Sequence, residues 1–439
     1  MSAPALSIPT VPGAPLVGNA LQLARDPFGF LRRCYREHGA AFELDLAGQR
    51  TAVFAGPESN LLLKQHEHTH FAAAPSFQGL SRALDTKRFL MTLDGDVHRQ
   101  LRSALGPAVA HKQLESYLPA LESIARRSLD QWCTRGVFDV RKALKRMVYT
   151  QLGGVLASVD AEEFYDDVVR VFDTALRVGL TRVWPAFMKH NPWNLRSRRR
   201  LRVLAERLMA SAGDGVQIPD LVKRAVADGV LPPDDLLATL LAPYFAGIDT
   251  VASSLSFAFY AVAAQPEQAQ RVRDELDGLS GPLTIAALRQ LPTLRSFVLE
   301  TLRCYPVTML SLRHTTHPVE HGGARLPAHH PVAFAVSLPH KLEEYFPEPD
   351  VFDLDRFPGG RSTAPPGVFQ PFGTGRHVCL GAGLADIQML VVLATLLRDY
   401  DFTLEPNYRL RLVLAPLPAP KKLRGRLTPR TTSRLHHAA

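Results

Sequence analysis

The chain has 439 residues, and 46% of them are hydrophobic, so it carries enough apolar side chains for a large core. Its formal net charge of +9 is compatible with nucleic-acid binding. However, neither a basic stripe interleaved with aromatic residues nor zinc-finger spacing supports that class, and we expect no nucleic-acid partner. The cysteines Cys34, Cys133, Cys304 and Cys379 stand far apart without a CxxC pair, which argues against a disulfide framework or structural zinc site and indicates a reducing compartment.

No Ser/Gly-rich linker or internal repeat divides the chain, so residues 1–439 are predicted to form one mainly helical domain. Residues 1–19 are rich in Pro, Ala and Gly and lack a charged segment followed by an apolar one, so we expect an irregular segment without a membrane anchor. Phe28 to His38 has the pattern of an amphipathic helix ended by Gly39. Residues 42–46 and 51–54 alternate in polarity around a glycine and predict a β-hairpin.

Two stretches before residue 110 differ in their helix signals. Residues 71–89 show few of them, and a loop there is implied only by the family resemblance that Phe372 to Gly383 carries. A helix then opens with Asp94 or Asp96 available as its N-cap. His98 and Arg102 stand four positions apart and therefore share a face of that helix, where two hydrogen-bond donors suit a carboxylate ligand. Taken alone, both residues are more often ordinary surface residues.

Residues 118–230 are helical in character, with interruptions at Trp184-Pro185 and at Asn191-Pro192-Trp193. Arg196 to Arg202 is strongly basic. A solvated helix face is the default interpretation of such a run, and a patch for a membrane surface or a partner is the alternative.

The stretch from Leu236 to Ala264 is almost uncharged and long enough to cross a bilayer. Asp249 stands at its centre, where a charge in lipid is costly. We therefore predict the buried core helix of a large globular protein. Within it, Gly247 and Thr250 can loosen the helical hydrogen-bond ladder, and an acid beside an alcohol can relay protons. The alternative is a helix kink in which Thr250 bonds to a carbonyl one turn earlier.

Leu294 to Cys304 is predicted to be a helix, ended by Pro306. Glu300 and Arg303 face the same way on it, and such a pair is normally exposed and contributes about 0–1 kcal/mol. For residues 322–336, the same family resemblance implies a region of strands.

The adjacent histidines His329 and His330 lie in that strand region and are too few ligands for a metal site. Towards the C-terminus, residues 414–420 are Pro-rich and predicted to form a turn that lines a pocket. Residues 421–439 are predicted to be a basic, mobile tail.

The most informative stretch is Phe372 to Gly383, which reads FGTGRHVCLGAG. Its dense glycines let the backbone bend tightly and approach a large, flat group. The apolar run Leu384 to Leu397 predicts a buried helix, so Cys379 lies near a helix N-terminus, where amide groups favour a thiolate. A lone cysteine is more often a small core residue, and the surrounding pattern decides between these interpretations.

This loop resembles the cysteine loop of the cytochrome P450 superfamily, through Phe372, Gly373, Gly375, Arg376, Cys379 and Gly381. The resemblance extends over most of the chain and implies a mainly α fold with small β-sheets, in which a long central helix crosses a haem b. It implies that Cys379 is the axial ligand of the haem iron, as thiolate ligation in this family requires. The other residues expected to contact the haem are His98, Arg102, Ala246, Arg313, Phe372, Gly373, Arg376, His377 and Gly381.

The resemblance assigns further roles. Asp249 and Thr250 match the acid–alcohol pair that delivers protons where dioxygen binds. Glu300 and Arg303, joined by Arg356, match a buried structural set behind the cysteine loop. The residues expected to line the substrate pocket are Phe77, Leu84, Leu241, Phe245, Val307 and Met309.

The implied function is that of a soluble, cytoplasmic, monomeric monooxygenase. It would insert one oxygen atom from O2 into an apolar terpenoid, steroid, fatty acid or polyketide, by hydroxylation or epoxidation. Electrons would come from a separate ferredoxin or flavoprotein reductase, and the basic net charge suits an acidic donor. Two alternatives remain: a family member that uses peroxide or rearranges its substrate without external electrons, and a non-catalytic haem-binding protein.

Overall fold

The computed structural model describes residues 8–46, 48–157, 159–279, 281–414 and 417–430. Most of these residues are helical. The helices are α1 (Ala20–Arg25), α2 (Pro27–His38), α3 (Pro57–His70), α4 (Ala74–Leu84), α5 (Gly95–Leu105), α6 (His111–Thr134), α7 (Val140–Leu156), α8 (Tyr165–Ala175), α9 (Pro192–Ala210), α10 (Ile218–Ala227), α11 (Leu236–Ala264), α12 (Pro266–Asp277), α13 (Ile285–Arg289), α14 (Pro292–Cys304) and α15 (Ala382–Asp399).

The strands are short and form small sheets. They are β1 (Ala41–Leu46), β2 (Gln49–Ala55), β3 (Phe71–Ala72), β4 (Val137–Asp139), β5 (Ser311–Thr315), β6 (Val319–His321), β7 (Ala324–Leu326), β8 (Pro331–Ala335), β9 (Tyr400–Leu404), β10 (Leu412–Leu414), β11 (Pro418–Pro420) and β12 (Arg424–Pro429). One sheet has the order β1-β2-β8-β5-β3, another β4-β12-β9, and β6-β7 and β10-β11 form two-stranded pairs. The pairing is antiparallel except between β2 and β8.

The five-stranded sheet is buried on both faces. Phe42 and Val53 belong to one apolar cluster with α2, whereas their neighbours Ala41 and Phe54 belong to a second cluster on the opposite face. This division follows from the two-residue period of a strand. The predicted hairpin is confirmed, because β1 pairs with β2 in antiparallel register, and α2 ends at Gly39 as predicted.

Helix α11 is the centre of the helical part, and its bounds agree with the prediction. It packs against α7, α14 and α15 and contributes buried side chains such as Leu255 and Phe259 to the largest apolar cluster. Among the described residues, one helical segment, Pro233–Ala264, is long and apolar enough to span a membrane, but 56% of its apolar window is buried inside the protein. The prediction of a core helix is thus supported by its packing.

The stretch predicted as a loop at residues 71–89 instead contains helix α4, so that prediction is wrong. Pro75 stands in the first turn, where a missing amide hydrogen costs nothing, and Leu80 and Leu84 bury one face. Gly79 approaches the backbone of Gly179 so closely that a Cβ atom would lie 2.0 Å from its carbonyl oxygen. Long-range packing therefore stabilises a helix whose own sequence signals are weak.

Two predictions near the C-terminus also change. Residues 424–429 form β12, the central strand of a three-stranded sheet, so the prediction of a mobile tail is wrong there; buried Leu427 alternates with exposed arginines. Residues 431–439 lie outside the described residues. The predicted turn at 414–420 belongs to the β10-β11 pair, and its residues 415 and 416 are likewise outside the described part.

Candidate active site

The cysteine loop is held by its own backbone. The amide of Cys379 donates to the carbonyl of Phe372 at 3.0 Å, and α15 begins three residues later with Gly381 as its N-cap. Gly373 and Gly375 have φ angles of +75° and +78°, a region that L side chains rarely adopt. These glycines allow the loop to fold back on itself ahead of the helix.

The thiol of Cys379 does not ionise easily in this environment. Burial raises the pKa of Cys379, while the amide of Gly381 and the charge of Arg102 act in the opposite direction without outweighing it. The amide of Gly381 at the start of α15 thus acts on the thiol in the predicted direction, but desolvation of the charged sulfur outweighs it. A coordinated metal ion would supply the missing stabilisation, since it deprotonates a ligating thiol.

The surroundings of Cys379 leave room for a large group. Cys379 retains accessible surface, although burial raises the pKa of its thiol, and we refer to this accessible but partly enclosed position as the recess. A Cβ atom at Gly373 or Gly381 would meet no heavy atom within 4 Å. On α11, Ala246 is exposed directly after buried Phe245. A group bound in the recess would lie against the loop at Gly373 and Gly381, where no side chain projects.

A buried carboxylate, which the sequence analysis did not single out, organises one edge of the loop. Glu67 on α3 is 2% exposed, and its Oε1 lies 2.7 Å from both Nε of Arg313 and Nδ1 of His377. Its Oε2 accepts from the amides of Arg376 and His377. Arg313 is also buried. The predicted site residues Arg313 and His377 are thus brought together by Glu67.

His98 and Arg102 on α5 complete this side. The ring of His98 stacks on that of His377, with centroids 4.1 Å apart. Burial and the neighbouring His377 lower the pKa of His98 to about 4, so it is neutral at physiological pH. Partly buried Arg102 makes no hydrogen bond or ion pair within the described part of the chain. An unpaired guanidinium beside Cys379 suits an anionic ligand, such as the carboxylates of a haem.

Asp94 has a different role from the predicted one. It precedes α5 as the N-cap residue, but its carboxylate makes no capping bond. The carboxylate accepts instead from the amides of Ala73 and Ala74, at 2.8 and 2.7 Å. Asp94 therefore connects the start of α4 to the start of α5, and the prediction that its side chain caps α5 is wrong. Asp96 lies in the first turn of α5 and pairs with Arg99 at 3.0 Å.

The acid–alcohol pair is present on α11, with each member already bonded. The hydroxyl of Thr250 donates to the carbonyl of Ala246 at 2.8 Å, as in the alternative interpretation from the sequence. The carboxylate of Asp249 pairs with Arg141 at 3.1 Å and with Lys145 at 2.9 Å, both on α7. Asp249 also borders a polar cavity of about 330 Å³, which is lined by Lys145, Asp166, Val169, Arg170, Asp173, Leu176 and Asp249.

Glu300 and Arg303 form a fully buried pair. Nε and Nη2 of Arg303 each lie 2.7 Å from an oxygen of Glu300, and its remaining donors reach the carbonyls of residues 340, 349 and 351. Arg356 lies 3.6 Å from Glu300 and donates to the carbonyl of Glu348. The structure therefore brings the three predicted residues together, as a set closed to external ligands.

The predicted pocket residues occupy two kinds of position. Leu84, Leu241 and Phe245 are buried in the largest apolar cluster and Phe77 packs against it, whereas buried Val307 and half-buried Met309 are not members of that cluster. The side chain of Arg376 is exposed, and its backbone amide is the part that joins the site.

Comparison with known proteins places these features in a family. The profile of the family described as Cytochrome P450 matches residues 8–177 and 187–417. The chain is 29% identical to putative cytochrome P450 120 of Synechocystis, covering 94% of this chain and 96% of that protein. It is 30% identical to pentalenene oxygenase of Streptomyces avermitilis, covering 96% and 97%.

Two further comparisons indicate the same family. Cyclooctat-9-en-7-ol 5-monooxygenase of Streptomyces melanosporofaciens is 27% identical and is matched over 88% of both chains. The solved structure of retinoic acid bound cyanobacterial CYP120A1 superposes with a TM-score of 0.84 at 25% identity, covering 97% of this chain and all of that one. The chain belongs to the cytochrome P450 family. It is an oxidoreductase of the monooxygenase class, and family membership implies a haem iron as its cofactor.

Proposed function

We propose that the protein uses haem b, ligated through Cys379, to insert one oxygen atom from O2 into an apolar small molecule. The observation that carries this proposal is the recess at the cysteine loop, where the sulfur of Cys379 is accessible and the unpaired cation Arg102 stands close by. Arg102, Arg313 and His98 would hold the haem carboxylates, and the side-chain-free backbone at Gly373 and Gly381 would lie against the ring. His377 would support them by stacking on His98, since both of its ring nitrogens already contact Glu67 and Leu93. When bound, the haem supplies the oxygen-activating chemistry.

The chain's own residues would control protons and water. Asp249 is the proposed proton source because it borders a polar cavity and directly precedes Thr250 on α11. Its ion pairs with Arg141 and Lys145 must loosen for the carboxylate to turn towards Thr250. The apolar residues Phe245 and Leu241, about one and two turns earlier on α11, would exclude water from the substrate.

An isoprenoid is the proposed substrate class. The relatives carry the names of pentalenene, cyclooctat-9-en-7-ol and abscisic acid, and the solved relative binds retinoic acid. All four molecules have isoprenoid carbon skeletons. The predicted pocket residues are apolar, which suits such a skeleton, and burial of apolar surface would supply most of the binding energy. Hydroxylation and epoxidation are both within this proposal.

We further propose a soluble, monomeric enzyme of the cytoplasm that receives electrons from a separate ferredoxin or flavoprotein reductase. The test combines the purified protein with NADPH, a surrogate ferredoxin and its reductase. Isoprenoids are compared with fatty acids of similar size, under ¹⁸O2. The proposal expects substrate-dependent oxygen consumption and one ¹⁸O atom in an isoprenoid product.

Each alternative has its own outcome. Product formation with hydrogen peroxide and without the reductase, but not with NADPH and the reductase, would favour the peroxide-using alternative. Conversion of substrate without incorporation of ¹⁸O would favour a rearranging enzyme. A haem-loaded protein that consumes no oxygen with any substrate would contradict catalysis and favour a non-catalytic haem-binding protein.

A further inference from the structure

We propose that Glu67 is a positioning residue, whose carboxylate fixes Arg313, His377 and the cysteine loop in one arrangement for binding the haem. The inference rests on the proposed haem-binding function. Glu67 lies on α3, Arg313 on β5 and His377 in the loop before α15, so three separate parts of the chain meet at this one side chain.

Arg313 and two backbone amides donate to Glu67, and Nδ1 of His377 does so when that nitrogen carries a hydrogen. Oε1 lies 2.7 Å from Nε of Arg313 and 2.7 Å from Nδ1 of His377. Oε2 accepts from the backbone amide of Arg376 and, at 3.4 Å, from that of His377. Only a group that accepts on both atoms satisfies this set, and an ionised carboxylate is such a group. A glutamine in the same place would turn two N–H donors towards groups that themselves donate.

The charge of Glu67 is stable in its buried position. Burial by itself raises the pKa of Glu67, but the hydrogen bond from His377 and the charge of Arg313 outweigh it and hold the pKa at about 2. The carboxylate is therefore ionised across the physiological range and compensates the positive charge of buried Arg313. Without it, that guanidinium would be buried and unpaired.

The backbone of the cysteine loop approaches the Glu67 carboxylate closely. Gly375 lies so near Glu67 that a Cβ atom added to it would stand 2.2 Å from Oε2. Its φ of +78° turns the chain so that the amides of Arg376 and His377 both point at the carboxylate. The other ring nitrogen of His377 lies 2.8 Å from the carbonyl of Leu93, so this ring is fixed at both ends. It is the ring on which His98 stacks.

Two consequences follow for a bound haem. The donor groups are already oriented before the haem carboxylates arrive, which reduces the ordering cost of binding. The negative charge of Glu67 also opposes the extra electron of a reduced haem, so its removal shifts the ferric–ferrous potential to more positive values. A role confined to folding would change stability without moving this potential.

The test compares wild type, Glu67→Gln, Glu67→Asp and the control Glu58→Gln, which removes an exposed carboxylate from the first turn of the same helix. The measurements are the rate of haem transfer to apomyoglobin, the ferric–ferrous potential and the urea unfolding of each haem-free protein. Glu67→Gln is expected to release haem at least tenfold faster and to have a more positive potential. Glu58→Gln is expected to match wild type in both.

Glu67→Asp keeps the charge but shortens the reach, so it is expected to release haem faster than wild type at a nearly unchanged potential. It serves as the decisive variant if Glu67→Gln does not fold. Haem release and potential equal to wild type in a folded Glu67→Gln would overturn the inference, as would wild-type haem release from Glu67→Asp. Wild-type protein that takes up no haem would instead overturn the proposed function itself, and this inference with it.

Discussion

Two buried carboxylate–arginine pairs in this protein have similar chemistry and different surroundings. Glu300 and Arg303 are both fully buried, and every nitrogen of the guanidinium lies at hydrogen-bond distance from protein oxygen atoms. Glu67 and Arg313 are nearly as buried, but they stand beside Arg102, which has no hydrogen bond or ion pair within the described residues, and beside the accessible Cys379.

The difference indicates how a folded chain separates a structural ion pair from one that serves a ligand. In the first pair all donors and acceptors are satisfied internally, so nothing remains for an external group. In the second pair, the Glu67 carboxylate orients hydrogen-bond donors near the recess at Cys379. The guanidinium of Arg102 has no ion-pair partner there among the described residues. The electrostatic surplus, rather than burial or conformation, supports our proposal that the second pair serves the haem site.

The largest expected effect comes from breaking the closed pair. Arg303→Ala leaves the Glu300 carboxylate buried without its main partner, which costs roughly 3–5 kcal/mol. We expect little folded protein and no bound haem, measured as urea unfolding and as the ratio of Soret to protein absorbance. Arg325→Ala is the matched control, because Arg325 pairs with Glu320 at 3.5 Å on the exposed surface and should change stability by less than about 1 kcal/mol. A stable, fully haem-loaded Arg303→Ala protein would refute the assignment of a structural role.

The second-largest expected effect concerns Asp249, whose surroundings are intermediate between those of Glu300 and Glu67. Asp249 is paired with two cations but borders a polar cavity, so Asp249→Asn should fold and bind haem. Loss of a proton donor typically slows a reaction by about 10²-fold or more. We expect that decrease in turnover of any accepted substrate, with an unchanged haem spectrum. Wild-type turnover in Asp249→Asn would show that protons arrive by another route.

Arg102→Ala should separate haem binding from folding. Since Arg102 makes no ion pair within the described part of the chain, its removal should change the stability of the haem-free protein by no more than about 0.5 kcal/mol. The loss of one charge-assisted contact of about 1.5 kcal/mol should speed haem release roughly tenfold. Arg99→Ala is the control on the same helix, since Arg99 is exposed and pairs with Asp96. Slow haem release from Arg102→Ala would remove Arg102 from the proposed site.

The smallest expected effect is a pH dependence within the closed cluster. Fully buried His340 accepts from the amide of Gln370 at 2.9 Å, and burial lowers the pKa of His340 to about 3. Below pH 6.5 the unfolded chain binds a proton here that the folded chain does not, so stability falls as the pH decreases from 6.5 towards 3.

His340→Gln keeps an acceptor for Gln370 but does not titrate. Between pH 6.5 and 5.5 we expect wild type to lose about 1 kcal/mol more unfolding free energy than this variant. Exposed His190→Gln should follow wild type. Parallel pH profiles of wild type and His340→Gln would contradict the neutral state of His340.

Much of the fold was predictable where one segment decides its own structure. The bounds of α11 follow from an uncharged run between polar residues, and the β1-β2 hairpin follows from local alternation. Helix α4 and strand β12 were missed because distant partners stabilise them: Gly179 packs against α4, and β4 and β9 flank β12. Long-range contacts of this kind leave no local periodic signal.

The candidate site was also only partly predictable from the sequence, because some of its contacts join distant parts of the chain. Cys379 was identifiable because several residues at fixed spacing surround it. Glu67 was missed because a single glutamate on a helix is normally solvated. One signal was available: Leu63 and Glu67 stand four positions apart and share the buried face of α3, where a charge needs a partner. That partner, Arg313, lies far away in sequence and could not be named without the fold.

The central claim is that Cys379 ligates a haem iron. Its most direct test is the absorption spectrum of the dithionite-reduced protein with carbon monoxide, for wild type, Cys379→Ala and the control Cys133→Ala. We predict a strongly red-shifted Soret band in wild type and Cys133→Ala, and its absence in Cys379→Ala. A wild-type Soret band at the position typical of histidine ligation, or a red-shifted band that persists in Cys379→Ala, would contradict the claim.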